Sequence, residues 1–224
     1  MKPRRSHPWA RSVEGARSLQ TSLAPRVRIV PFALRPGLVA ALDVSYNRLD
    51  PVLWAGVVLL RWPEFELLDR IVVRRKAGFP YVPTFLSFRE LPACLAALRR
   101  LRRDPICVLC DGQGLAHPRF FGLATHLGYL LDLPTVGCAK SRLVGEYAEP
   151  GFKRGQWTFL SVEGRRVGAA LRTRDGVKPV FVSPGHKMDV QSAVEVILST
   201  TRGFRLPEPI RMAHHLVNAA RLGG

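Results

Sequence analysis

The chain has 224 residues, with 34 Lys and Arg against 17 Asp and Glu, for a formal net charge of +17. That length suits one α/β domain, and 47% hydrophobic residues are enough for a sizeable core. No run of 18 apolar residues and no secretory leader are expected, and a surface this basic favours polyanions, nucleic acid above all. The 28 Arg against 6 Lys point to a GC-rich genome, but codon usage does not explain a twofold excess of bases over acids.

In chain order, residues 1–24 are rich in Arg and Ser and poor in acid, as organellar transit peptides are. Val13, Ala16, Leu19 and Leu23 fall at helical spacing, so the segment reads as an N-terminal helical extension of a single domain spanning residues 1–224. Leu38–Tyr46, Val52–Arg61 and Phe65–Arg75 read as three consecutive strands. The short Trp62-Pro63-Glu64 turn makes the last two an antiparallel hairpin. Beyond Pro80 and Pro83, Ser87–Arg103 reads as a helix. Pro92 belongs to its first turn, and Arg99, Arg100, Arg102 and Arg103 to its last, where cations suit the dipole.

Ile106–Cys110 is a fourth strand, Phe120–Leu131 a helix and Thr135–Ala139 a fifth strand. Trp157–Val162, Val167–Thr173 and Pro179–Val182 follow as short strands, then Met188–Ser199 and Glu208–Leu222 as helices. Three antiparallel strands followed by helix, strand, helix, strand predict an α/β fold, a ribonuclease H-like mixed sheet flanked by helices. Cys94, Cys107, Cys110 and Cys138 read as small core hydrophobes in a reducing, cytoplasmic setting. Cys107 and Cys110 cannot chelate one metal, because strand residues i and i+3 face opposite sides.

Two of these strands end in acids. Asp43 closes Leu38-Val-Ala-Ala-Leu-Asp43, and Asp111 follows Ile106-Cys-Val-Leu-Cys110. An acid inside an apolar strand is costly unless metal or hydrogen bonds compensate it. Gly112 and Gly114 then leave bare backbone beside Asp111. Glu90 opens a helix, where it also complements the dipole. Three such carboxylates gathered at one sheet edge would suit magnesium and phosphodiester chemistry. His117 and Lys140 sit on loops directly after strands, and His214 lies on the final helix.

These residues carry a resemblance. Leu42-Asp43-Val-Ser-Tyr46, Tyr81-Val-Pro83 with Phe85-Leu-Ser-Phe-Arg-Glu90, and Asp111-Gly-Gln-Gly-Leu-Ala-His-Pro-Arg119 are similar to endonuclease V, the deoxyinosine-directed repair nuclease. Thr135-Val-Gly-Cys-Ala-Lys-Ser-Arg-Leu-Val-Gly145, Val182-Ser-Pro-Gly-His186 and Leu206-Pro-Glu-Pro-Ile-Arg-Met-Ala-His214 continue the match in the family's order. The Asp111 and Lys140 blocks are long and unusual, which makes the resemblance specific.

The resemblance implies that Asp43, Glu90, Asp111 and His214 are catalytic, with Asp43, Glu90 and Asp111 holding Mg²⁺, for which Mn²⁺ could substitute. Tyr81, between prolines, would belong to a wedge pushed into the duplex, and Pro83, Leu86 and Leu143 would bind substrate. The loops at Gly112 and Gly137 would help line a pocket for the extruded hypoxanthine, and His117 and Lys140 would contact phosphate or the site's edge. It further implies a monomer that nicks deoxyinosine-containing DNA at the second phosphodiester bond 3′ to the lesion, leaving 3′-hydroxyl and 5′-phosphate ends. Inosine-containing RNA is the alternative substrate. A structure-reading ribonuclease H-like nuclease and a silent nucleic-acid-binding module remain as competing readings. The family usually carries Gly after the second wedge proline, where this chain has Thr84. If that position needs positive φ, Thr84 is strained.

Overall fold

The computed structural model describes residues 1–47 and 49–223. Its sheet is built from β1 (Gly37–Ser45), β2 (Val52–Trp62), β3 (Glu66–Lys76), β4 (Cys107–Asp111), β5 (Thr135–Ala139), β6 (Trp157–Val162), β7 (Arg165–Leu171) and β8 (Val180–Pro184). The spatial order is β3-β2-β1-β4-β5-β8-β7-β6. The pairs β1–β2 and β2–β3 are antiparallel, whereas β1–β4 and β4–β5 are parallel, as expected for a ribonuclease H-like arrangement. The late strands extend the same sheet, β8 running antiparallel to β5.

Alternation along the strands feeds two cores, one on each face. Ala40, Leu42, Val57, Leu59 and Val108 pack with Leu91, Leu95, Leu98 and Leu127 of α2 (Leu86–Leu98) and α3 (Leu123–Leu131). Val39, Ala41, Val58, Leu109 and Val136 pack instead with Val196, Ile197, Ile210 and Ala213 of α4 (Val190–Ser199) and α5 (Glu208–Leu222). Gly56 is what lets α5 press onto β2, since a Cβ there would collide with Val217 Cγ1. The four cysteines are free and buried in these layers.

The N-terminal helix is α1 (Val13–Leu23), capped by Ser12, whose Oγ accepts from the Gly15 amide. Among the described residues no helix is long and apolar enough to cross a membrane.

Most element boundaries shift by a residue or two from expectation, and the following differences have a physical reason. Helix α2 ends at Leu98, and Arg99–Arg103 lie beyond it. Like charges three and four apart oppose a further turn, and Pro105 biases the residue before it away from helix. Pro92 is in the second turn rather than the first and removes one helical amide donor. Helix α3 starts at Leu123, because Phe120 has a φ of 53° and Gly122 is extended. Strand β4 runs one residue further than expected and takes in Asp111 itself, paired in register with Cys138.

Candidate active site

Register brings the two strand acids together. Parallel pairing aligns Leu42 with Cys110, so Asp43 and Asp111 are the next neighbours along adjacent strands. Both sit at odd positions, on the face that carries Ala41 and Leu109 towards α5. His214 comes down from α5, and ligand atoms of Asp43, Asp111 and His214 all lie within 4.8 Å of one another. His214 Nδ1 is 2.7 Å from Asp43 Oδ2. Asn218, one helical turn on, offers its side-chain amide to His214 Nε2 at 3.0 Å. With Nε2 accepting, the proton lies on Nδ1 and points at Asp43. Ser45 Oγ donates to Asn218 Oδ1 and Arg221 Nε donates to Ser45 Oγ, so a chain of three side chains orients the imidazole.

Glu90 approaches from α2, on the opposite layer, and stands outside this tight group of three. It faces the same cavity, and Tyr46 Oη donates to its Oε1 at 2.8 Å. The tyrosine is pinned in turn by the Arg89 guanidinium 4.9 Å above its ring. Arg89 also donates to the carbonyls of Phe79 and Asp50, tying the loops on both sides to the helix start.

The electrostatics are those of mutually repelling, buried acids. Burial pushes the Glu90 carboxyl from 4.5 up to about 7, and the Asp43 and Asp111 charges push the same way against the Tyr46 hydrogen bond. Burial, then Asp43, raises Asp111 from 3.8 to about 6, although Lys140 and His214 oppose it. Lys140 Nζ lies 3.9 Å from Asp111 Oδ2 and is half exposed. Hard carboxylate oxygens that repel one another fit a small divalent cation, and one imidazole beside them does not exclude it. Asp43 and Asp111, with His214 alongside, are the residues placed to hold such an ion.

The acids open into a cavity of about 670 Å³. Its walls include Tyr81, Pro83, Leu86, Gly112, His117 and Leu143 from the expected set. Gly137 and Lys140 do not line it. Gly137 lies inside β5 and serves packing, since a Cβ there would strike the carbonyl of Gly112 and come within 2.8 Å of the Gly114 amide. His117 is buried, and its ring is engaged at both nitrogens: Nε2 with the Thr84 carbonyl at 2.7 Å, Nδ1 with the Arg119 amide at 3.2 Å. Burial lowers its pKa from 6.5 to about 4, so the ring is neutral.

Several cavity residues carry no signal as single letters. Tyr46, Ser45, Asn218 and Arg221 are of this kind, although Asn218 lies four residues after His214, where helix geometry makes neighbours. Gln113 is another. It donates to Ser141 O and accepts from Ser183 Oγ, which itself accepts from the Gly114 amide, locking the loop after β4 to the ends of β5 and β8.

The Endonuclease V family model matches residues 21–215. A relative from Roseiflexus sp., named Endonuclease V, is 47% identical over 217 residues, covering 96% of each chain. Another from Methanothrix thermoacetophila is 46% identical over 216 residues, covering 96% of this chain and 95% of its own. The crystal structure of the endonuclease V from Streptomyces avermitilis superposes with a TM-score of 0.92 at 40% identity, covering 100% of this chain and 99% of its own. An endonuclease V from Ciona intestinalis superposes with a TM-score of 0.83 at 27% identity, over 94% of this chain and 98% of its own. It was crystallised with a 24mer DNA containing an inosine followed by a ribo-adenosine. With its acid cluster at the strand ends of a ribonuclease H-like sheet, the chain belongs to the endonuclease V family and is an endonuclease.

Proposed function

We propose that the protein recognises deoxyinosine, the product of adenine deamination, in DNA and hydrolyses the second phosphodiester bond 3′ to it, leaving 3′-hydroxyl and 5′-phosphate ends for repair. The observation that carries this reading is the Asp43–Asp111–His214 group at the floor of a cavity whose rim holds Tyr81 and Pro83. The volume falls within the range of small-molecule pockets, about 300–1,000 Å³, and takes an extruded base. Extrusion costs a few kcal/mol and less for a mispaired base, which itself favours the lesion.

Asp43 and Asp111 would hold Mg²⁺, with Glu90 on the cavity's other wall. Once bound, the ion polarises a phosphate oxygen, acidifies a water and steadies the leaving oxygen. The chain's own residues do the rest. Asn218 and Asp43 fix the His214 ring, so its Nδ1 proton stays on the acid side of the site. Tyr46 keeps Glu90 aimed at the cavity. Tyr81, half-buried beside the Tyr46 ring at 6.3 Å, would fill the space that the base vacates. Lys140, 3.9 Å from Asp111, would meet the phosphate entering the site, and the net charge of +17 would hold the duplex backbone. Four buried free thiols suit a reducing cytoplasm.

The Ciona complex, with its ribo-adenosine after the inosine, favours inosine-containing RNA as a second substrate. Nicking of deoxyinosine duplex, matched duplex and inosine RNA, each with Mg²⁺ and with EDTA, tests both. The expected result is Mg²⁺-dependent cleavage of the deoxyinosine strand one nucleotide beyond its 3′ neighbour bond, with the matched duplex spared. Equal cutting of matched and inosine duplexes would leave a structure-reading nuclease, and no cutting at all a binding module.

A further inference from the structure

Thr84 has a φ of 69°, a left-handed conformation that a β-branched residue rarely adopts. Hydrogen bonds converge on it. Its carbonyl accepts from Gln20 Nε2 at 2.9 Å, His117 Nε2 at 2.7 Å and Arg119 Nη2 at 3.3 Å. Its hydroxyl oxygen lies 2.7 Å from Arg119 Nη2. A carbonyl oxygen has two lone pairs, so three donors saturate this one.

The donors also brace one another. Arg119 Nε donates to Gln20 Oε1 at 2.5 Å, and the Arg119 amide donates to His117 Nδ1. Gln20 Nε2 reaches the Phe121 carbonyl at 3.2 Å, and the Arg119 guanidinium stacks 4.4 Å above the Phe85 ring. Gln20 is fully buried, 0% exposed, a polar side chain on the face of α1 that also buries Ala16 and Leu23. The buried amide joins two segments, the Thr84 loop through one bond and Arg119–Phe121 through the other two, and so ties one to the other. Thr84 is the residue directly after Pro83, and both line the cavity with Tyr81.

We propose that Gln20, His117 and Arg119 are positioning residues that clamp Thr84 in its left-handed conformation, and that this clamp fixes the Tyr81–Pro83 edge that discriminates inosine from normal bases. Selectivity then runs through the N-terminal helix, which supplies no residue to the cavity lining and reaches it only through Thr84. The inference rests on the reading of Tyr81–Pro83 as the lesion-reading edge. Glycine adopts positive φ at no steric cost and makes the clamp dispensable; threonine makes it necessary. Without the clamp the loop relaxes to extended backbone, and the base-reading population falls by the left-handed penalty.

The test is a cycle of wild type, Arg119→Lys, Thr84→Gly and the double variant. Its readout is the ratio of single-turnover rates on inosine and matched duplexes. Lysine keeps the charge but lacks the fork that grips Thr84. Arg119→Lys should lower the ratio about tenfold in the Thr84 background, the left-handed penalty expressed as a rate ratio. In the Thr84→Gly background the same change should cost under about twofold, because glycine needs no clamp. Amide exchange across residues 81–86 should quicken in Arg119→Lys alone. An equal loss in both backgrounds, or no loss in either, overturns the clamp. A wild-type enzyme that prefers inosine while Tyr81→Ala leaves its preference untouched overturns the lesion-reading edge itself. Should Arg119→Lys fold poorly, Gln20→Ala run through the same cycle decides in the same way.

Discussion

Replacing Glu90 by Gln should stabilise the metal-free protein while impairing the enzyme. The carboxyl is 8% exposed and its pKa stands at about 7 against 4.5 for an exposed Glu. Between those values the folded state holds a proton that the unfolded state has released, so stability falls as pH rises through that window and the loss is complete above about 7. At about 1.4 kcal/mol per pH unit, the ionised carboxylate costs about 3 kcal/mol at pH 8 and under about 1 kcal/mol at pH 5. The amide has no charge to desolvate, and its oxygen still accepts from Tyr46 Oη. In EDTA, Glu90→Gln should therefore raise Tm at pH 8 by about 6–12 °C and by only a few degrees at pH 5. Mg²⁺ should then stabilise wild type more than the variant, because the ion relieves repulsion that the variant no longer has. Thermal melts at both pH values, with EDTA and with Mg²⁺, give all four numbers. A variant no more stable than wild type at pH 8, or equally stabilised at pH 5 and 8, would show that burial does not raise this carboxyl.

Asp111→Ala should abolish hydrolysis while inosine-duplex affinity, measured by fluorescence anisotropy, stays within a few-fold, since basic residues and cavity walls hold the DNA. Full nicking by this variant would remove Asp111 from the site. Affinity for undamaged duplex should fall by about 10³-fold between roughly 50 and 200 mM salt, a steepness set by phosphate contacts; a flat titration would reduce the charge of +17 to codon usage. Gly114→Ala should lower stability by about 3 kcal/mol or more, because its Cβ would land on the Pro184 carbonyl. A Tm within about 2 °C of wild type would show that the loop yields. Tyr81→Ala should lower selectivity for inosine by roughly 5- to 150-fold, the worth of one base stack. The same ratio with only a lowered Tm would make the ring a packing element.

The strands were legible because β-branched runs bounded by turn residues carry their own period, and the acids at their ends were legible because nothing apolar explains them. Asp43 and Asp111 follow the paired Leu42 and Cys110, a register fixed by β4 crossing back beside β1, which the order of strands along the chain does not itself specify. Glu90 was harder. Its place on α2 fixes its helical face, but how far that face stands from the sheet edge depends on packing, and the glutamate ends up bound to Tyr46 and outside the tight group of three. The Arg99–Arg103 run shows the opposite failure. A dipole argument extended the helix, but mutual repulsion and Pro105 ended it at Leu98. Gly137 read as a pocket wall because glycine near a ligand and glycine between packed backbones look alike in a sequence; its absent Cβ makes room for the Gly112 carbonyl. His117 read as a loop contact to phosphate or the site's edge, and only burial reveals its ring as neutral and committed to Thr84.

What remains at the cavity is a pair of unfavourable features of different kinds. Buried carboxylates that repel one another disfavour the folded state electrostatically, and a left-handed Thr84 disfavours it through the backbone. Neither contributes to the two cores, where Leu42, Leu91 and Leu98 on one side and Leu109, Ile197 and Ile210 on the other are fully buried. The cores can therefore bear both costs, and each cost faces a different ligand chemistry. The acid repulsion would be relieved by a bound cation, whereas the strain is held by Gln20, His117 and Arg119. Stabilising changes at the two features should consequently behave differently. Neutralising an acid raises stability and removes hydrolysis together. Relieving Thr84 with glycine leaves the acids untouched, so any loss of function from it must appear in the choice of substrate before it appears in the chemistry.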